Sequence, residues 1–331
     1  MKAENKPYYS TDRVVLKKAV PLDTPFTLII APTHVCNLTC KYCIQAIWKE
    51  KKQIEKRPFI QLSLVEKVVE EAKGFPHRIK DVSLTSLGEP LLHKNLPDIV
   101  KILKNADITD RVQFFTNGTL LTRELSSKLI DAGLDEIRFS LQGLNNKKYK
   151  DVTNADVDFN NIVKNIRFFY ENKGDCKMYI KIADIALDNE DKMFYDIFGD
   201  ICDRIYIEKI IPLFKGVSYS FLNEANAENK YAEHHLNYNV CPNCFYTLTV
   251  LPNGNVLPCC NLYDPPIGDA YKENIVDIWN GEKRKSVLLH QLRNETDVNC
   301  IDCYVPNNQQ SSDYLDDAIP DILERMEATC Q

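Results

Sequence analysis

Between residues 25 and 212, short apolar runs alternate with longer amphipathic ones. The runs FTLIIAP (26–32), KDVSLTS (80–86), RVQFFTN (111–117), EIRFSLQ (136–142), KMYIKIAD (177–184) and RIYIEKIIP (204–212) are rich in β-branched and aromatic residues and predict strands. The segments between them have helical periodicity. Ser63 and Glu66 have the spacing of a capping box, and Val65, Val68, Val69 and Ala72 then share one face. Thr122 opens another helix that Gly133 ends, and Phe159, Ile162, Val163, Ile166 and Tyr170 form an apolar stripe. Such stripes are core and carry no chemistry themselves.

Six βα repeats predict a parallel sheet with helices outside it, because each crossover returns the chain in the same direction. Eight units make a closed barrel, so six predict an open, partial (β/α)6 TIM barrel, an α/β fold with its active site at the carboxyl ends of the strands. Beyond it the pattern changes. Residues 213–240 are a polar, acidic bridge. FYTLTVL (245–251), a Pro-Asn-Gly turn and NVLPCC (255–260) then predict a β-hairpin. A helix over NIVDIWNGEKRKSVLLHQL (274–292) and a polar tail ending in a short helix complete the chain. The predicted organisation is an N-terminal extension (1–24), the barrel (25–212), the bridge (213–240), a small hairpin and helix domain (241–306) and the tail (307–331).

Composition narrows the function classes. The 331 residues carry 41 Lys and Arg against 47 Asp and Glu, a net charge of -6, which argues against a general nucleic-acid binder. No apolar run has the roughly 18–20 residues a membrane helix requires, and MKAENKPYYS lacks the apolar region of a signal peptide. A cytoplasmic protein is expected. Twelve cysteines are unusual there and point to metal ligands rather than disulfides. Three, Cys36, Cys40 and Cys43, lie together after the first strand, and six lie between Cys241 and Cys303. Cys176, Cys202 and Cys330 stand apart and are expected to pack as small hydrophobes.

The first group, HVCNLTCKYC, has the spacing C-x3-C-x2-C. Structural zinc is the alternative, although a tetrahedral site wants four ligands and no fourth cysteine is near. Three cysteines on an iron–sulfur cube leave one iron open to a ligand from outside the protein. The later strand ends add SLGEP with Glu89, TNGTLLT with Asn117 and FSLQG with Ser140. In this order, each at a strand end, these motifs resemble the radical S-adenosylmethionine (SAM) superfamily over residues 25–212. The resemblance implies a 4Fe–4S cluster on Cys36, Cys40 and Cys43 that chelates SAM. It implies that Gly88 and Glu89 correspond to the GGE motif, with Leu87 replacing the first glycine, and that Glu89 receives the SAM ammonium. Ser140 matches the residue touching the SAM ribose or carboxylate, Asn117 supports it, and Tyr42 lies near the adenine, which Ile211 and Pro212 flank. One electron from the cluster would then release a 5′-deoxyadenosyl radical.

The second group is Cys241-x2-Cys244, Cys259-Cys260 and Cys300-x2-Cys303. Cys244-x9-Gly254-x4-Cys259 resembles the opening of the SPASM and twitch domains of radical SAM enzymes. The resemblance implies the shorter twitch form with one auxiliary 4Fe–4S cluster. Cys241, Cys244, Cys259, Cys300 and Cys303 compete for four places, and zinc on two CxxC knuckles is the alternative. Cys260 is expected to face away from Cys259, as neighbours on an extended chain do. The C-x2-C-x14-C stretch also resembles the molybdenum-cofactor cyclases. That family ends in Gly-Gly, whereas this chain ends in Thr-Cys-Gln.

For the reaction, the resemblance implies an oxidoreductase, with oxidation or epimerisation at a hydroxyl-bearing carbon of a small sugar-like or aminocyclitol-like substrate. Glu208, Lys209, Lys181 and Asp184 on the last two strands are the candidate contacts or bases. Expected partners are that small molecule and an electron donor such as flavodoxin or ferredoxin, with no nucleic acid and no membrane. The alternatives are a peptide- or protein-modifying maturase and, in another class, a non-catalytic zinc or iron–sulfur scaffold.

Overall fold

In the computed structural model, residues 1–8, 13–50, 57–214, 216–222, 238–261, 264–295, 298–301, 303, 305–306 and 309–328 are described. Six strands follow the expected order: β2 (Thr27–Ile30), β3 (Asp81–Ser83), β4 (Val112–Thr116), β5 (Glu136–Leu141), β6 (Lys177–Ala183) and β7 (Arg204–Glu208). They pair in sequence and in parallel, from Thr27 against Asp81 to Ala183 against Glu208. A short β1 (Glu4–Asn5), not foreseen in the sequence, adds in parallel to β7. This is the partial barrel.

Strand alternation sorts the side chains. On β5, Ile137, Phe139 and Leu141 are fully buried against the helices, while Glu136, Arg138 and Ser140 take the other face, inside the barrel. The helix Arg123–Asp131 starts at Thr122, whose hydroxyl accepts from Leu125 N at 3.1 Å, and Gly133 beyond it has φ +84°. The helix Phe159–Asn172 buries Phe159, Ile162, Ile166 and Phe169. Cys176 and Cys202 are buried in the core, as expected.

Three expectations are corrected. The helix Leu62–Ala72 starts one residue before Ser63, so Ser63 is already helical, and its cap Gln61 makes no side-chain bond. The single helix over 274–292 is two, Ile275–Asn280 and Glu282–Leu292. Gly281 is extended between them (ψ 156°), with no room for a β-carbon 2.9 Å from Asp277 O. The hairpin is not a separate sheet. Its strand β8 (Thr247–Val250) pairs in parallel with β2, Thr27 against Thr247, and β9 (Asn255–Leu257) and β10 (Gly268–Asp269) extend the same ten-stranded sheet. Fully buried Trp279 ties its helix, Ile275–Asn280, to the N-terminal extension by donating to Leu22 O at 3.0 Å. Residues 223–237 of the bridge and Cys330 lie outside the described residues. No helix among the described residues is long and apolar enough to cross a membrane.

Candidate functional site

The loop after β2 carries Cys36, Cys40 and Cys43 directly before the helix Ile44–Glu50. Cys43 N donates to Cys40 O at 2.9 Å, and Thr39 N and Lys41 N donate to Thr153 O and Val152 O, so the loop is pinned on either side of Cys40 to the end of the helix Asn146–Thr153. Burial, then the neighbouring Cys43 and Cys36, pushes the Cys40 thiol well up. Three thiols on one short loop suit a cation that takes up their charge.

The SLGEP strand end packs onto this loop. A β-carbon at Gly88 would lie 2.3 Å from Thr33 O and 2.7 Å from Val35 O, and Glu89 N donates to Val35 O at 2.8 Å. Only glycine allows this approach. The buried Glu89 carboxylate accepts from Thr116 Oγ1 at 2.7 Å, Asn117 N at 2.8 Å and Leu91 N at 3.0 Å. Burial raises its pKa to about 7 against those three bonds. A carboxylate accepts about four donors, so room for one more remains. Asn117 Nδ2 reaches Asn37 Oδ1 at 2.9 Å and Cys36 Sγ at 4.0 Å. The sequence-predicted residues Glu89, Asn117 and the first cysteines are thus brought together.

On the other side of the mouth, Tyr42 OH donates to Gln142 Oε1, and Gln142 Nε2 donates to Ser140 O at 3.1 Å and lies 3.5 Å from Ser140 Oγ. Gln142 was missed by sequence reasoning because a Gln at a strand end carries no signal of its own. Burial, then the charges of Cys40 and Cys43, raises Tyr42 well up. Ile211 lies past β7, half-buried. The chain then turns so that Leu213 N and Phe214 N donate to Tyr219 OH, which donates to Tyr42 O at 3.2 Å.

Lys181 and Glu208 form an ion pair inside the barrel, and the Lys181 ammonium lies 5.4 Å from the Phe115 ring centre. Asp184 is committed elsewhere. Its Oδ1 accepts from Ile185 N at 2.8 Å and Ile210 N at 3.1 Å, tying the end of β6 to the chain after β7. Half-buried Lys209 follows β7 directly.

Cys241, Cys244, Cys259, Cys260, Cys300 and Cys303 all line one cavity of about 220 Å³. Cys260 does not face away as expected, because residues 258–260 bend rather than extend. Burial pushes the Cys241, Cys244 and Cys259 thiols well up. Gln291 Nε2 donates to Cys300 Sγ at 3.3 Å and Asn261 Nδ2 to Cys303 Sγ at 3.6 Å. Among the described residues no three His, Cys, Asp or Glu side chains converge as on a single metal ion, where zinc–sulfur distances are about 2.3 Å. Six thiols around one cavity are soft ligands that suit an iron–sulfur cluster. Buried Arg284, which sequence reasoning also missed, stacks 3.2 Å from the Trp279 ring centre and donates to Trp279 O, Cys244 O and Phe245 O.

With this geometry in view, the comparisons identify two domains. The radical SAM superfamily model matches residues 30–183, and that of the SPASM iron–sulfur cluster-binding domain matches residues 241–304. The chain contains a radical SAM superfamily domain. Its two domains carry a SAM-binding 4Fe–4S cluster and an auxiliary cluster, which the two thiol groups fit. A probable GTP 3′,8-cyclase of Metallosphaera sedula is 36% identical over 129 residues, 39% of this chain and 38% of that protein. The GTP 3′,8-cyclase of Chlorobaculum tepidum is 37% identical, over 38% of this chain and 36% of that protein. The chain therefore spans well under half the length of these curated relatives. Among solved structures, BtrN in complex with AdoMet and 2-DOIA matches with TM-score 0.53 and 20% identity over 86% of this chain and 96% of that one. anSMEcpe with bound AdoMet matches with TM-score 0.59 and 14% identity over 92% and 97%. Both support the fold alone. The expectation of oxidation or epimerisation at a sugar-like hydroxyl carbon is corrected: the curated relatives are named for GTP cyclisation, which is not an alcohol dehydrogenation. The Thr-Cys-Gln ending carries no weight against a cyclase.

Proposed function

We propose that this radical SAM enzyme acts on a small purine nucleotide, removing a ribose hydrogen in the manner of a 3′,8-cyclisation. Two lines support it: a three-cysteine loop with a carboxylate of spare acceptor capacity beside it, and relatives 36–37% identical that share one name. The first carries the radical step and the second the substrate class.

The cluster and SAM supply a carbon-centred radical able to take hydrogen from an unactivated C–H bond. The protein's own residues do the rest. Cys36, Cys40 and Cys43 hold the cluster, and Cys241 or Cys244 with Cys259, Cys300 and Cys303 hold the auxiliary one. Glu89 accepts the SAM ammonium at its remaining position. Gln142 orients Ser140 and Tyr42 toward the ribose and the adenine, and Ile211 lies against the base. Lys181 and Glu208 contact the substrate below the mouth, with Lys209 beside them. Asp184 keeps the last two strand ends together.

The test is anaerobic reconstitution, reduction and incubation with SAM and [3′-2H]GTP. Deuterium in the 5′-deoxyadenosine is the expected result. SAM cleavage with no deuterium from any nucleotide, or transfer from a labelled peptide instead, overturns the substrate reading.

A further inference from the structure

Below the mouth, at the amino ends of the strands, a second cavity of about 230 Å³ opens among Tyr8, Lys80, Arg111, Arg138, Gln310 and their neighbours. It is distinct from the cluster site. Its lining shares no residue with that site, and the Phe115 ring lies 4.8 Å from the Arg138 guanidinium and 5.4 Å from the Lys181 ammonium.

The cavity gathers unmet hydrogen-bonding groups. Three buried side-chain polar atoms without a partner among the described residues, Tyr8 OH, Arg138 Nη2 and Gln310 Oε1, belong to residues lining this one space. Buried polar groups are paired in folded proteins, so three orphans around one cavity call for an occupant. Arg138 is only 4% exposed, and its guanidinium stacks 3.3 Å from the Tyr8 ring centre.

Charge says what kind of occupant. The cations are Arg13, Lys80, Arg111 and Arg138. Against them stand three carboxylates: Asp313 paired with Arg13, Asp81 paired with Arg111 at 2.7 Å, and Glu136 shared between Arg111 at 3.2 Å and Arg138 at 2.9 Å. Asp110 adds a fourth carboxylate beside exposed Lys80, so among the described residues these charges balance, but buried Arg138 keeps a charged donor, Nη2, with no acceptor. Partial burial lowers the Lys80 pKa, and Arg13 pushes the same way against Asp110. A buried charged donor without an acceptor is met more strongly by an anion than by water. A guanidinium edge is shaped for tetrahedral or planar oxyanions.

We propose that this cavity binds hydrogen phosphate or a phosphomonoester, with Arg138 Nη2 and Tyr8 OH donating to the anion and Gln310 Oε1 accepting from its hydroxyl. The site is independent of the radical chemistry and of the substrate proposed for it. The volume exceeds that of a bare phosphate and leaves room for a small ester.

Isothermal titration of the reconstituted holoenzyme, saturated with SAM, with inorganic phosphate and separately with glycerol phosphate tests it. Saturable binding of either is expected, and the tighter one identifies the source. Arg138→Gln should weaken it by roughly tenfold or more, and Tyr8→Phe by a few-fold. If Arg138→Gln does not fold, exposed Lys80→Ala should still weaken binding. Absence of binding up to about 10 mM, unchanged affinity in the folded variants, or competition with SAM overturns the proposal.

Discussion

The two thiol groups of this protein are built in opposite ways. The first lies within eight residues of one loop, pinned between β2 and a helix and braced by Gly88, Glu89 and Asn117 from two other strand ends. The second is assembled from three segments spread over residues 241–303, and its walls exist only when the hairpin is docked on β2 and the helix Glu282–Leu292 is in place. A local loop can keep its geometry while a ligand is lost, because strand ends hold it. A distributed pocket depends on every segment that reaches it. Losses at the first site should therefore cost chemistry, and losses at the second should cost stability as well.

The largest effect expected is for Cys40→Ala. SAM cleavage should fall to background, while the auxiliary site keeps its iron and the melting temperature changes little. A melting curve that collapses with the activity would show that the loop is not self-contained. Next comes Arg284→Met, at the distributed site. It leaves the carbonyls of Cys244, Phe245 and Trp279 without their buried donor, at a cost of about 3 kcal/mol. Denaturant unfolding and iron content should fall together, with the first cluster retained. Equal loss of iron from both sites would erase the distinction.

The smallest and most diagnostic is Glu89→Gln. The folded pKa of Glu89 is raised to about 7, so the folded state holds a proton that the unfolded chain has released between its ordinary value of 4.5 and about 7. The stability tied to that proton is complete below 4.5 and is lost as pH rises through about 7. Gln cannot titrate, so the variant's stability should be flatter across this window, by at most about 3 kcal/mol. Denaturant titrations at the two ends of the window check this. An unchanged pH profile would mean that the three donors already hold Glu89 as a carboxylate at acid pH.

Some of the molecule was legible because its cause is local. β-Branched runs read as strands wherever the barrel needed them, and Thr122 capped the helix it was expected to open. Ser63 did not cap its helix, because Leu62 before it had already entered it. Cys36, Cys40 and Cys43 announced their chemistry because one loop holds all three. The substrate was misread because the motifs that carried the resemblance concern how a radical is made, and none of them reads the target.

The sequence by itself determined the order of strands, the loop thiols and the strand-end residues beside them, since each depends on neighbours a few positions away. Only the tertiary structure decided that Cys260 turns toward the same cavity as Cys259, that the hairpin continues the barrel's sheet, and that Glu136, Arg138 and Tyr8 meet inside it. Charged residues alternating along a strand read as a solvent-facing edge. Closing six strands toward one another turns that same face inward, where burial forces every charge to find a partner.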